Sequence, residues 1–280
     1  VSDIELVHSL SIAQNPITSV VFNNNANWLC AASGHLGQLV VWEWQSETFV
    51  LKQQGHEHAI NSLDYAPDGA LIITGGDDAK VKLWNTQTGF CFVTFTDHKA
   101  PVSQCVFSPK GHVAFSASLD GTVRAFDLVR YRNFRVMVPP TTSPAQFSCM
   151  AVDPSGDIVC AGAIDSYDIY VWAVQTGKIT DVLCGHSGPV SQLQFNPFNA
   201  TLASVSWDKT ARVWDVFGRK PDREAVNHTC DVLAIAHRPD GRQFCISSLD
   251  GLLSFFEPES GDLLFTIDGR PDIAGGRLTT

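Results

Sequence analysis

A histidine, a hydroxyl residue, an aspartate and a tryptophan recur together at fixed offsets along this chain of 280 residues. These types match the base, nucleophile and orienting carboxylate that serine hydrolases use to cleave acyl bonds. That chemistry requires one set converging on a single open site. The chain instead carries three copies: His56, Thr74, Asp78 and Trp84; His98, Ser116 and Asp120; His186, Ser204, Asp208 and Trp214. Repetition favours a structural role.

The role that we predict for each set is a buried chain of hydrogen bonds. The aspartate would accept from the histidine, the histidine would bond the hydroxyl, and the hydroxyl would bond the indole N–H, which leaves no polar group unpaired inside a packed sheet. The set of His98, Ser116 and Asp120 has Phe126 at the tryptophan position and lacks the last donor. The chain has no P-loop, dinucleotide fingerprint, nucleophile elbow or zinc-protease motif. We therefore predict no enzyme activity, no cofactor and no metal.

The spacing of aromatic residues shows which elements must position these sets. An aromatic residue closes a strand-like run six times, at intervals of 42, 42, 46, 42 and 42 residues: Trp42, Trp84, Phe126, Trp172, Trp214 and Phe256. Self-similarity at about 40 to 45 residues is typical of a four-stranded propeller blade. The sequence therefore predicts an all-β propeller that forms a single domain over residues 1–280.

The blade number follows from a count of the repeats. Six units each contain three strand-like runs separated by turns, and a further strand-like run at residues 4–10 precedes the first unit. Six complete blades plus this orphan outer strand predict a seven-bladed ring with its last blade incomplete, in a chain excerpted from a longer protein. The alternative is a six-bladed ring with an extra edge strand.

Composition limits the classes of partner. The formal net charge is −10, so general attraction to nucleic acid or to an anionic membrane is not expected, and any RNA contact must be a local basic patch. No apolar run approaches the 18 or so residues of a membrane span. The eight cysteines have no CxxC spacing and are predicted to be free thiols.

Three residues at strand-connecting turns are candidates for binding a partner. Trp207 and Asp77 each precede the aspartate of a set, a position that we expect to face the central opening of one face. Packing within the ring is the alternative for Trp207. Tyr167 lies beside one extra residue in the fourth unit, where either a bulge or an outward-facing contact would account for it.

One dense cluster of basic and aromatic residues contains the RNA-contact candidates Arg130, Tyr131, Arg132 and Arg135. Charge combined with stacking surface suits single-stranded RNA. Alternation of arginine with aromatic residues also suits an outer strand with one wet face. Both interpretations remain open from the sequence.

The repeats resemble WD40 units, most closely in residues 185–215, from Gly185-His186 to Trp214-Asp215. Longer stretches, at 39–47, 74–95, 119–135 and 165–186, are similar to one ribosome-assembly branch of that family. This resemblance implies the second of two tandem propellers in a nucleolar scaffold of the UTP-B complex, which works in the small-subunit processome and supports 18S rRNA maturation. The implied partners are WD40 and helical subunits of those complexes, with pre-rRNA or snoRNA as further contacts. The alternative is a general WD40 adaptor that recruits a peptide.

Overall fold

Six four-stranded antiparallel sheets make up the computed structural model, which describes residues 16–34, 37–140, 145–199, 201–217, 225–258 and 260–270. The first three sheets contain β1 (Ile17–Phe22), β2 (Trp28–Ser33), β3 (Gln38–Glu43), β4 (Thr48–Gln54), β5 (Ile60–Tyr65), β6 (Leu71–Gly76), β7 (Val81–Asn85), β8 (Cys91–Phe95), β9 (Val102–Phe107), β10 (Val113–Ser118), β11 (Val123–Asp127) and β12 (Arg132–Met137). The last three contain β13 (Phe147–Val152), β14 (Ile158–Ala163), β15 (Ile169–Ala173), β16 (Ile179–Leu183), β17 (Val190–Phe195), β18 (Leu202–Ser206), β19 (Thr210–Trp214), β20 (Val226–Asn227), β21 (Val232–His237), β22 (Phe244–Ser248), β23 (Leu252–Phe256) and β24 (Leu263–Asp268).

Each sheet is a meander of four consecutive strands, and the first strand of each sheet contacts the first strand of the next. The predicted all-β propeller with six complete blades is confirmed, whereas the described residues form no part of the predicted seventh blade. Every sheet takes its outer strand from the end of its own meander, so none depends on a strand from elsewhere. The predicted orphan strand at residues 4–10 lies outside the described residues.

Burial along the strands explains why their sequences differ. The middle strands are covered on both faces by neighbouring sheets, so β6 and β10 are almost entirely buried and consist of apolar and small residues. The outer strands have one wet face, and β8 and β12 alternate between exposed and buried residues. Alternation of arginine with aromatic residues in β12 is therefore the pattern of an outer strand.

The apolar core is divided among the interfaces between adjacent sheets. At the interface of the third and fourth sheets, Phe115 from one side packs in a cluster with Phe147, Tyr170 and Trp172 from the other. The indole of Trp172 meets the ring of Phe147 edge to face, with 5.7 Å between ring centroids. The repeating aromatic residue of a blade thus packs against the preceding blade, as Trp84, Phe126, Trp214 and Phe256 also do.

Polar side chains on the first strands join neighbouring blades, because these strands do not pair through their backbones. Gln104 Oε1 accepts the backbone N–H of Met150 at 2.6 Å, and Gln192 Oε1 accepts that of Ile235 at 2.7 Å. These bonds satisfy N–H groups that would otherwise point into the central channel. Further links of this kind are Ser62 to Cys105, Asp64 to Phe107 and Gln194 to His237.

All eight cysteines are free thiols. Four of them are buried in the blades: Cys30, Cys105, Cys149 and Cys160. Burial raises the pKa of the Cys149 thiol to about 12, so it stays protonated and unreactive near neutral pH. Within the described residues there is no helix with the length and apolar character needed to cross a membrane.

Candidate functional site

The fifth blade contains the most complete of the repeated sets. His186 Nδ1 lies 2.9 Å from Asp208 Oδ2, and His186 Nε2 lies 2.7 Å from Ser204 Oγ. Trp214 Nε1–H donates to the same Ser204 oxygen at 2.8 Å. The second blade repeats this geometry, since His56 bonds Asp78 at 2.9 Å and Thr74 at 2.7 Å, and Trp84 donates to Thr74 at 2.9 Å.

The third blade keeps only part of this arrangement. His98 bonds Asp120 at 2.9 Å and Ser116 at 2.6 Å. Phe126 offers no donor to Ser116 and instead stacks on Phe95, with ring centroids 4.2 Å apart. Packing thus takes the place of the last hydrogen bond in this blade.

The donor pattern defines the protonation of the histidines in the two complete sets. An ionised aspartate can only accept, so His Nδ1–H donates to it, and Nε2 of the neutral ring then accepts from the hydroxyl, whose oxygen also accepts the indole N–H. Burial lowers the pKa of His56 and of His186, despite the nearby carboxylates, so both are neutral at pH 7. Burial alone would raise the pKa of Asp78, but the hydrogen bond from His56 contributes to an overall lowering.

Burial also decides what the three sets can do chemically. The hydroxyls of Thr74, Ser116 and Ser204 belong to residues with no exposed surface, inside blades packed on both sides. A nucleophile must reach its substrate at an open site, which these hydroxyls cannot do. The sets therefore act as internal hydrogen-bonded supports. Within the described part of the chain, no group of three or more histidine, cysteine, aspartate or glutamate residues is placed to hold a metal ion.

In the fourth blade the tryptophan has lost its acceptor. Trp172 Nε1 is buried and has no hydrogen-bond partner among the described residues. Ala161 occupies the strand position of Thr74 and Ser204, and it has no hydroxyl. Trp172 therefore contributes through packing alone.

His237, at the end of β21, is half-buried, and its two ring nitrogens are buried without a hydrogen-bond partner among the described residues. Its ring packs against Phe244, with centroids 5.7 Å apart. Burial lowers the pKa of His237 from 6.5 to about 4. The protonated imidazolium is thus much less stable in the folded protein than in the unfolded chain.

We expect this histidine to destabilise the fold in acid. Its folded pKa lies below its unfolded value, so its contribution is complete above pH 6.5 and is lost as the pH falls from about 6.5 to about 4, by at most about 3 kcal/mol. Urea unfolding at several pH values should show a shallower acid loss in His237→Leu than in the wild type. Identical slopes would contradict the assignment. The lowered pKa values of His56 and His186 also make the free energy of unfolding fall in acid, and this part of the loss should persist in His237→Leu.

The turns between the second and third strands of the sheets bring the partner candidates to one face. Trp207 is 54% exposed, and its backbone N–H donates to Pro189 O. Asp77 occupies the same turn position in the second blade, where its carboxylate accepts a hydrogen bond from Asn61 at 2.7 Å. Leu249 is the equivalent residue of the sixth blade and is 61% exposed. Trp207 and Leu249 are therefore exposed apolar side chains on this face.

Tyr167 lies in the longer turn of the fourth blade, at a positive φ of 64°. Its side chain is half-buried. The pairing of β14 with β15 has no register shift, so the extra residue enlarges the turn and does not form a bulge in the strands. The structure thus gives Tyr167 less exposure than Trp207.

Of the four residues in the basic cluster, three are exposed to solvent and one is hydrogen-bonded to a neighbouring blade. Arg130, Tyr131 and Arg132 are exposed at the turn that enters β12. Arg135 is different: its guanidinium donates to Gln175 O in the fourth blade at 2.6 Å, and its side chain crosses closely over Gly177. Arg135 therefore links two blades and is not a free cation.

Sequence reasoning missed the apolar neighbours of this cluster. Phe92, on β8 of the second blade, packs edge to face on Tyr131, with 5.7 Å between ring centroids. Phe90 and Val129 are strongly exposed nearby in sequence. The alternating residues Phe90 and Phe92 at an outer strand were the available signal, but nothing in the sequence placed them beside the third blade.

The central channel forms a cavity of about 690 Å³ lined by the first strands of the first five sheets. Asp64 is the acidic residue of this lining, and its carboxylate accepts the N–H groups of Phe107 and Tyr65. Burial raises the pKa of Asp64 to about 7 in spite of these two bonds. Its contribution to stability opposes that of His237, because it is lost as the pH rises from about 3.8 to about 7.

A family model described as the IFT122 first beta-propeller matches residues 16–274. The chain belongs to this β-propeller family. The propeller is also similar to proteins named periodic tryptophan protein 2, which confirms the WD40 resemblance. It is 50% identical to the homolog from Dictyostelium discoideum over 97% of the chain, 52% identical to that from Mus musculus over 98%, and 50% identical to the Saccharomyces cerevisiae protein over 99%.

The WD40 propeller corresponds to only part of these relatives. The chain spans 29%, 30% and 30% of the lengths of the Dictyostelium, mouse and yeast proteins. The activity and partners of these full-length relatives are therefore only proposals for this chain.

Proposed function

We propose that this propeller is a non-catalytic protein-interaction scaffold in ribosome biogenesis, within the UTP-B complex of the small-subunit processome. The observation that carries the proposal is identity of about 50% to periodic tryptophan protein 2 along nearly the whole chain. The proposed location is the nucleolus. The proposed partners are other WD40 and helical subunits of those complexes, with support for pre-rRNA processing and 18S rRNA production as the outcome.

The structure supports a scaffold in two ways. The residues that resemble a hydrolase triad are sealed inside the blades, as described above. The exposed apolar side chains, such as Trp207 and Leu249, lie instead on the turns, where a partner can reach them. A propeller with accessible turns on each blade provides several separate contact surfaces at once, which suits assembly of a multi-subunit particle.

Depletion of the full-length protein tests the proposal. We expect 18S rRNA to fall and its precursors to accumulate, while the rRNA of the large subunit, measured in the same samples, stays near its normal level. Affinity purification of the tagged protein should recover pre-ribosomal proteins and snoRNA. Recovery of neither, together with unchanged 18S rRNA, would contradict the proposed function.

The second candidate function, a general adaptor that recruits a peptide, is favoured by one observation, the exposure of Trp207. If the adaptor role is correct, Trp207→Ala should abolish binding of one defined partner and leave 18S rRNA unchanged. Leu249→Ala is the matched control, because it removes an exposed apolar residue from the same turn position of the next blade. A fall in 18S rRNA in Trp207→Ala, with normal 18S rRNA in Leu249→Ala, would favour the scaffold role.

Contact with pre-rRNA or snoRNA through the basic cluster stays a prediction. Only Arg130, Tyr131 and Arg132 remain accessible for it, because Arg135 is bound to the fourth blade. The structure also gives these residues an apolar setting, from which a different partner is argued below.

A further inference from the structure

An exposed patch at the edge of the propeller joins the second and third blades. We define the rim patch as Phe92, Val129, Arg130, Tyr131 and Arg132. Val129, Tyr131 and Phe92 are 73%, 47% and 43% exposed, and the Phe92 and Tyr131 rings are in contact. Two blades thus present a joint apolar surface to solvent.

The backbone at Tyr131 is strained for a tyrosine. Its φ is +50°, in the left-handed region that costs an L-residue about 1 kcal/mol or more. The same turn position is a glycine at positive φ in three other blades, Gly89, Gly177 and Gly261, and is Glu47 at +56° in the first blade. The strained tyrosine is exposed, so its ring covers little that the fold requires. Strain kept at an accessible side chain points to a function in binding.

The rim patch carries two arginines, Arg130 and Arg132, with the carboxylate of Asp127 beside them. Among the described residues, neither Arg130 nor Arg132 forms an ion pair within 4.0 Å. Asp127 is occupied by the backbone N–H groups of Val129 and Arg130, at 2.8 and 3.1 Å. These two hydrogen bonds lower the pKa of Asp127, so it stays ionised and partly offsets the arginines.

A cavity adjoins the patch and could receive a side chain. Its volume is about 430 Å³, and its lining includes Val129 and Arg130 of the patch together with His112, Val113, Asp127 and Phe134. Mixed apolar and polar walls suit an aliphatic or aromatic anchor residue. A surface that combines aromatic residues, arginine and a pocket has the composition of a protein–protein contact.

We propose that the rim patch docks a segment of a partner protein that carries an apolar anchor residue flanked by acidic side chains. The anchor packs on Val129, Tyr131 and Phe92, and the acidic side chains pair with Arg130 and Arg132. This inference rests on the scaffold role proposed above and names one of its surfaces. RNA is disfavoured because two arginines contact about two phosphates at most, and because Val129 offers no stacking face.

Photocrosslinking in the full-length protein in its own cells tests the inference. With p-benzoylphenylalanine in place of Tyr131, we expect an adduct to a peptide of another protein that has an apolar residue within about four positions of two or more aspartates or glutamates. The same photoreactive residue in place of Phe198, which is exposed on a turn of the fifth blade, is the control and should not give this adduct. An adduct to RNA, or no protein adduct at position 131, would overturn the inference.

Binding of the synthetic adduct peptide to the full-length protein provides the second measurement. Tyr131→Gly and Arg132→Glu should each weaken binding at least tenfold. Tyr131→Gly should leave Tm unchanged or raise it, because glycine accepts the left-handed backbone, so a loss of binding cannot be ascribed to unfolding. Unchanged affinity in both variants would overturn the docking surface.

The two proposals fail in different ways. Association with pre-ribosomal particles but no acidic protein adduct at Tyr131 would sink the docking surface and leave the scaffold role standing. Absence of pre-ribosomal association in the wild type would remove the proposed function itself.

Discussion

Replacing Trp172 with alanine is expected to lower the free energy of unfolding by about 4 kcal/mol, the range for deleting a fully buried aromatic side chain. Trp172 has no exposed surface, meets Phe147 edge to face and stacks on Tyr170 with ring centroids 5.9 Å apart. The cavity left behind would lie at the interface of the third and fourth blades. Hydrogen-exchange protection of β14 and β15 in the full-length protein measures the loss, at about tenfold in exchange rate for each 1.4 kcal/mol.

The control is Trp172→Phe. Because Trp172 Nε1 has no acceptor, phenylalanine removes no hydrogen bond and keeps much of the ring volume, so we expect a loss below about 1.5 kcal/mol. A loss in Trp172→Phe as large as in Trp172→Ala would show that the indole N–H is bonded after all.

A comparison of two serines at the same position in different blades gives the second large effect. Ser204→Ala should cost about 3 kcal/mol, because it leaves both His186 Nε2 and Trp214 Nε1 without their partner inside the blade. Ser116→Ala should cost about half as much, because only His98 Nε2 loses its partner and Phe126 never donated. Both serines are fully buried, so the change in volume is the same.

The order of these two losses is the informative result. It can be measured as the shift in urea midpoint followed by far-UV circular dichroism, which avoids the altered tryptophan environment. Equal losses would mean that the Trp214 hydrogen bond contributes nothing, and that the tryptophan acts by packing alone in this blade as it does in the fourth.

Much of the fold could be predicted because the signals for it are local. The three strand-like runs predicted in each of the six units correspond to the first three strands of every sheet, such as β5, β6 and β7 of the second. Turn residues and apolar alternation depend on neighbours a few positions away, and the period repeats that information six times. The fifth blade's outer strand escaped prediction because β20 has only two residues, too few for a pattern.

For the candidate site, contacts within one blade could be predicted from the sequence, whereas contacts between blades could not. The repeated sets could be recognised because their members keep fixed offsets within one blade, and the structure places them in hydrogen-bond contact. Whether Arg135 was free could not be predicted, since its partner Gln175 belongs to the next blade. The same holds for Phe92, whose contact with Tyr131 crosses between blades. The predicted seventh blade rested on one isolated strand-like run, which does not say which sheet it joins.

The 42-residue period alone establishes the class of fold and the internal role of the histidines and aspartates, because both depend on contacts made within one repeat. Contacts between repeats are decided only in three dimensions. There the choice of neighbour depends on how sheets pack, which no spacing along the chain encodes. Packing between sheets determined that Arg135 links two blades and that Phe92 and Tyr131, from different blades, meet at a surface open to a partner.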